Sequence, residues 1–164
     1  MTRLRSFAVV AIALGLACAS APPAVQSLRP PPVEGRYALV EVSLAPDGAR
    51  CLEAGAATRL IAVVRQSARD WLDHGGRLAP DGEFMLEVAV DSTRLRSAWV
   101  TWLFAWAAAP DHLAARVSVL RDGARVAGYR VRVESALAGY SWRDPDARLD
   151  RLARRLGHRL VEGL

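Results

Sequence analysis

The chain contains no lysine and no asparagine, only two isoleucines and two cysteines, and no apolar run long enough to cross a bilayer. Each absence excludes something. With cysteine at positions 18 and 51 alone, a framework of internal disulfides is ruled out. The uncharged stretches 7–17 and 98–109 hold eleven and twelve residues, short of the roughly 20 that a membrane-spanning helix needs. There is no Gly-x-Ser-x-Gly, since the residues around Ser141 read "AGYSW", and the glycines sit at turns rather than in a phosphate-cradling loop. His74, His112 and His158 fall in different segments, without metal-ligand spacing to one another or to a cysteine. Cys51 has no histidine near it in sequence and reads as a half-buried structural thiol. No catalytic residue, metal ligand set or cofactor is expected.

What is present begins with an address. Arg3 and Arg5 precede the apolar run Phe7–Ala17, which ends on small residues. A charged start, a short apolar middle and a small-residue exit mark an export signal over residues 1–17. The exit, Leu14-Gly15-Leu16-Ala17 followed by Cys18, resembles the bacterial lipobox, with glycine at position 15 where leucine is commoner. That resemblance implies a diacylglyceryl group on the Cys18 sulfur and an acyl chain on its amine. Each buried methylene contributes about 0.8 kcal/mol, so three chains hold firmly to a membrane. Ala19 rather than aspartate after the cysteine implies sorting to the outer membrane, facing the periplasm, with the inner membrane as the alternative.

Removing the signal also changes the charge. The formal charge of +5 drops by two, to +3, when Arg3 and Arg5 are lost. An isoelectric point near 10.2 suggests nucleic acid, but all 22 basic residues are arginine. Arginine without lysine, asparagine or much isoleucine reads as GC-rich codon usage rather than selection for phosphate contacts. No nucleic-acid partner is expected.

Residues 18–35 carry five of the nine prolines and read as a semi-extended tether. Residues 36–164 have the size of one domain. Within it, Ala38, Val40, Val42 and Leu44 alternate with Leu39, Glu41 and Ser43, a strand of period two. Pro46-Asp47-Gly48 reads as a turn. Ala57, Leu60, Ile61, Val64, Ala68, Trp71 and Leu72 form a helical apolar stripe that Gly75 is placed to end. Phe84, Leu86, Val88 and Val90 alternate again, and two further strands flank an Asp122-Gly123 turn. Asp144 as cap, Pro145 and Asp146 open a last helix buried along Leu149, Leu152, Ala153, Leu156, Leu160 and Val161. The order β-α-β-β-β-α predicts an α+β fold. Its mixed, mainly antiparallel four-stranded sheet carries two amphipathic helices on one face and leaves an arginine-bearing face open.

Two features stand outside that frame. "AWVTWLFAWAAAP" (98–110) gathers Trp99, Trp102, Phe104 and Trp106 without a charge before its end. Such a surface completes a core, meets a membrane interface or binds a protein partner. The last helix places Arg148, Arg151, Arg155, His158 and Arg159 outside. They form a solvated face or a contact for anionic headgroups or an acidic partner. Asp146 and Asp150 are expected to pair with nearby Arg143 and Arg154.

The Cys18 anchor, the strand-helix-strand opening, the Arg121-Asp122-Gly123 hairpin and "SALAGYSW" before a final amphipathic helix resemble a family of small bacterial envelope lipoproteins of unknown function. More distantly, the layout is similar to auxiliary lipoproteins of envelope ABC transport and lipopolysaccharide assembly. The resemblance implies a non-enzymatic accessory lipoprotein that binds a partner or ligand in the envelope. The alternatives are a subunit of an envelope transport or assembly machine and an enzyme with an unrecognised site.

Overall fold

A computed structural model describes residues 34–50, 52–96, 110–135, 144–162 and 164. Cys18, Cys51, residues 18–33 of the tether, and Trp99, Trp102, Phe104 and Trp106 lie outside the described residues.

The elements run β1 (Tyr37–Leu44), a single turn α1 (Pro46–Ala49), α2 (Ala54–His74), β2 (Phe84–Arg94), β3 (His112–Arg121), β4 (Ala124–Glu134) and α3 (Pro145–Val161). The sheet order is β1-β2-β3-β4. β1 and β2 are parallel, while β2–β3 and β3–β4 are antiparallel. A parallel pair needs a long crossover, and α2 supplies it. This is the expected α+β architecture.

Both helices cover one face. Leu60, Val64, Ala68 and Leu72 of α2, with Leu149, Leu152, Ala153, Leu156 and Leu160 of α3, meet Val40, Leu86, Val88, Val90, Leu113, Ala115, Val117, Val119 and Val133 in one buried cluster. Each fully buried aliphatic side chain contributes roughly 1.5–3 kcal/mol. The stripes work because positions three and four apart share a helix face, while alternate strand positions share a sheet face.

Local signals mostly act as their chemistry requires. Asp144 caps α3 by accepting from the Asp146 amide at 3.0 Å. Asp122 and Gly123 have φ of 51° and 77°, the pair of positive values that a tight right-twisting hairpin turn demands.

Four details differ from the sequence pattern. Strand β1 shifts register between Tyr37 and Leu39, so Tyr37 is buried and Ala38 exposed. The shift admits a ring where an alanine would leave a gap. Trp71 is 45% exposed rather than part of the α2 stripe. The left-handed residue ending α2 is Gly76, φ 65°, not Gly75. Around it Arg77 N–H donates to the Leu72 carbonyl at 2.8 Å and Gly76 N–H to Asp73 at 2.8 Å, the paired bonds of a Schellman end. Finally, Pro46-Asp47-Gly48 coils into α1, with Gly48 so close to strand β2 that a Cβ would lie 2.6 Å from the Val90 carbonyl oxygen.

Candidate functional site

Where β2 ends, β3 begins and α3 takes its first turns, three charges are buried together. The Asp111 side chain is 1% exposed. Its Oδ1 accepts from the Arg96 amide at 2.7 Å and from Arg96 Nε at 3.1 Å. Its Oδ2 accepts from Arg148 Nη1 at 3.0 Å. Arg148 Nη2 also donates to the Arg96 carbonyl at 2.6 Å, and the Ser135 amide donates to the Asp111 carbonyl at 2.9 Å. One carboxylate thus joins the strand ends to the helix. Removing charges from water is costly unless they pair and hydrogen-bond, as the two oxygens of Asp111 do here.

The pattern of α3 had placed Arg148 outside. It is instead turned inward, with a side-chain exposure of 10%. Position 148 lies one turn before the core residue Leu152, on the flank of the stripe, and the buried Asp111 carboxylate draws its guanidinium inward. Arg151 and Arg155 are exposed, as expected, and Arg155 Nη1 donates to the Glu134 carbonyl at 2.9 Å. Arg159 is exposed and pairs with Glu162 at 2.7 Å. Asp146 and Asp150 both pair with Arg59 of α2, Asp150 at 3.3 Å. Arg59 reaches them across the helix interface, which spacing along α3 alone cannot reveal.

A cavity of about 80 Å³ lies beside the buried charges, lined by Arg96, Asp111, Ser135, Arg148, Arg151, Leu152 and Arg155. Asp111, Arg96 and Ser135 carried no signal in the sequence. Their meeting depends on three strand ends converging, and no local spacing encodes that.

The sheet face opposite the two helices is divided by charge. Glu41 of β1 pairs in register with Glu87 of β2, and Arg116 of β3 with Arg130 of β4. Between them Asp91 meets Arg116 at 3.2 Å and Arg130 at 2.9 Å. A broad groove of about 620 Å³ crosses this face, lined in part by Glu41, Ser43, Glu87, Arg116, Ser118 and Arg125. The sheet's own arginines occupy the β3–β4 half, and Arg65 of α2 also lines the groove, so the face carries both signs rather than being uniformly basic.

The three histidines lie in α2, β3 and α3. Among the described residues, no group of three or more histidine, cysteine or acidic side chains is placed to hold a metal. Trp71 lies against His158 with ring centroids 3.9 Å apart and planes tilted by 51°, and meets His74 edge-on at 6.3 Å. His112 sits opposite Ser92, its Nε2 3.1 Å from the hydroxyl. Burial, then Arg132 and Arg94, hold its imidazole below the usual histidine range. Burial pushes the Tyr129 and Tyr37 phenols up.

These features define a two-layer α+β domain, four strands under two helices, with a charged cleft at one end and an open bipolar face. No protein-family model and no curated protein matches the chain. Solved structures do resemble it. One is a PelC dodecamer from Paraburkholderia phytofirmans, 15% identical, covering 79% of this chain and 86% of that one at a TM-score of 0.50. Another is a Xanthomonas campestris protein of the family DUF330, 16% identical, covering 85% and 86% at a TM-score of 0.51. At such identities the likeness speaks for the fold.

Proposed function

We propose that the protein is a membrane-anchored accessory lipoprotein of the bacterial envelope. It is held by acyl chains on Cys18 in the outer membrane, faces the periplasm, and binds a partner or ligand without carrying out a reaction. One observation carries the reading: a charged start and an eleven-residue apolar run deliver Leu14-Gly15-Leu16-Ala17 directly to Cys18. The 18–35 tether then separates the anchor from the folded domain, leaving the open sheet face and the exposed Arg151, Arg155 and Arg159 accessible to a partner. Trp99, Trp102, Phe104 and Trp106 belong to this proposal as candidate contacts with the membrane interface or a protein.

Intact mass spectrometry of the protein from membranes tests the anchor. The expected result is a chain beginning at Cys18 with three acyl chains, and a Cys18→Ala chain that leaves the membrane fraction. A bare Cys18 thiol, or a mature terminus elsewhere, overturns the reading. Crosslinking in intact envelopes from position 116 or 130, followed by identification of the adduct, tests the partner.

A second reading makes the chain one subunit of an envelope transport or assembly machine. Its support is that PelC, which shares the fold, is a dodecamer. Light scattering on the detergent-solubilised chain separates the two, since a monomer at micromolar concentration counts against the assembly.

A further inference from the structure

We propose that the cleft between the ends of the strands and the first half of α3 is a binding site for a single phosphate group. Buried polar atoms in folded proteins almost always have partners, so each one left without calls for a ligand or a reason. Three such atoms occur here, Arg96 Nη1, Arg148 Nε and Ser135 Oγ. All three residues line the same cavity. The two arginine side chains are 8% and 10% exposed, so water does little to satisfy them.

Charge argues the same way. The Asp111 carboxylate already accepts three hydrogen bonds from Arg96 and Arg148. It balances only one of the two buried guanidiniums. Arg151 and Arg155 add two more positive charges at the rim. Among the described lining residues, four guanidiniums thus share a recessed space with one carboxylate. An anion that entered would replace repulsion with charge-assisted hydrogen bonds, the strong class.

The shape selects the anion. A space of about 80 Å³ admits a few waters or one compact oxyanion. The donors approach from the β2 end, the β4 end and three positions of α3. A tetrahedral phosphate presents oxygens in all of those directions. A planar carboxylate presents only two oxygens, both in one plane, and so meets fewer of those directions. The phosphate belongs either to a lipid headgroup or to a soluble phosphorylated molecule.

The site does not depend on the lipid anchor, so the Cys18→Ala chain should bind as the parent does. The test is calorimetric titration of the full detergent-solubilised chain with inorganic phosphate at constant ionic strength, with acetate as comparison. Saturable one-site binding is expected, with acetate weaker. Arg151→Ala with Arg155→Ala should weaken phosphate binding at least about tenfold, as expected for hydrogen bonds to charged groups. Both residues are exposed, so the thermal midpoint without phosphate should hold, and Ser135→Ala provides a second, milder variant. Vesicles of phosphatidic acid in phosphatidylcholine then identify the source. Displacement of bound phosphate assigns the site to a headgroup, and no displacement assigns it to a soluble phosphate, both retaining the site. Absence of saturable binding, or affinity unchanged in the double arginine variant, overturns the proposal.

Discussion

Gly157 of α3 lies directly over Ser67 of α2. A Cβ built at 157 would stand 2.6 Å from the Ser67 Cβ and 3.0 Å from the Ala68 amide nitrogen. Just beside it, Ser67 Oγ donates to the Arg154 carbonyl at 3.0 Å. The two helices touch through their smallest residues, and that closeness sets how α3 lies on the sheet. In an exposed helix, Gly157→Ala would gain about 1 kcal/mol of helix propensity. Here overpacking, typically 1–3 kcal/mol, should win, and Gly157→Val should be worse than Gly157→Ala. Urea unfolding of both variants checks the order; a stabilised Gly157→Ala would show that the helices separate at no cost.

The three charges around Asp111 make an asymmetric prediction. Asp111→Ala leaves the guanidiniums of Arg96 and Arg148 buried without their shared acceptor. Breaking a buried pair this way costs about 3–5 kcal/mol. Thermal unfolding should show a loss several times that from Glu162→Ala, whose ion pair with Arg159 is exposed and so contributes about 0–1 kcal/mol.

Tyr129 holds the far end of the same helix. Its hydroxyl donates to the Leu160 carbonyl at 2.5 Å, and Leu160 is among the last four residues of α3, whose carbonyls have no partner within the helix. Tyr129→Phe should cost about 1–2 kcal/mol, the penalty of an orphaned buried acceptor. Hydrogen exchange should localise the loss to the last turn of α3 and neighbouring β4, not to α2.

His112 supplies a pH dependence. Its folded pKa is lowered, first by burial and then by Arg132 and Arg94, against an opposing contribution from Glu134. Below pH about 6.5 the unfolded chain binds a proton that the folded chain resists. Stability from this group is therefore present above that pH and is lost as pH falls from there toward the folded pKa. The unfolding free energy should fall more steeply between pH 7.5 and 5.5 for the parent than for His112→Gln. Parallel curves would remove His112 as the cause.

The sequence alone carried whatever depends on neighbours a few positions apart. Period-two alternation marked Phe84, Leu86, Val88 and Val90 as one face of a strand, and all four are buried. The spacing of Leu149, Leu152, Leu156 and Leu160 marked the inner face of α3, and the Asp122-Gly123 and Asp144-Pro145 pairs marked a turn and a cap. These are local rules of backbone geometry, satisfied or broken within one or two turns of chain.

Only the tertiary structure decided where charge would be buried. Arg148 looked like one more arginine on a solvated stripe until Asp111, 37 residues away, was brought beneath it by the junction of three strand ends. Tyr37 rather than Ala38 entered the core where β1 shifts register against β2, and its ring there meets Phe84. Trp71 sits at the edge of its stripe, where His158 from another helix lies against its ring. Burial energy depends on what surrounds a side chain in space, and that surrounding is assembled from segments that share no local pattern.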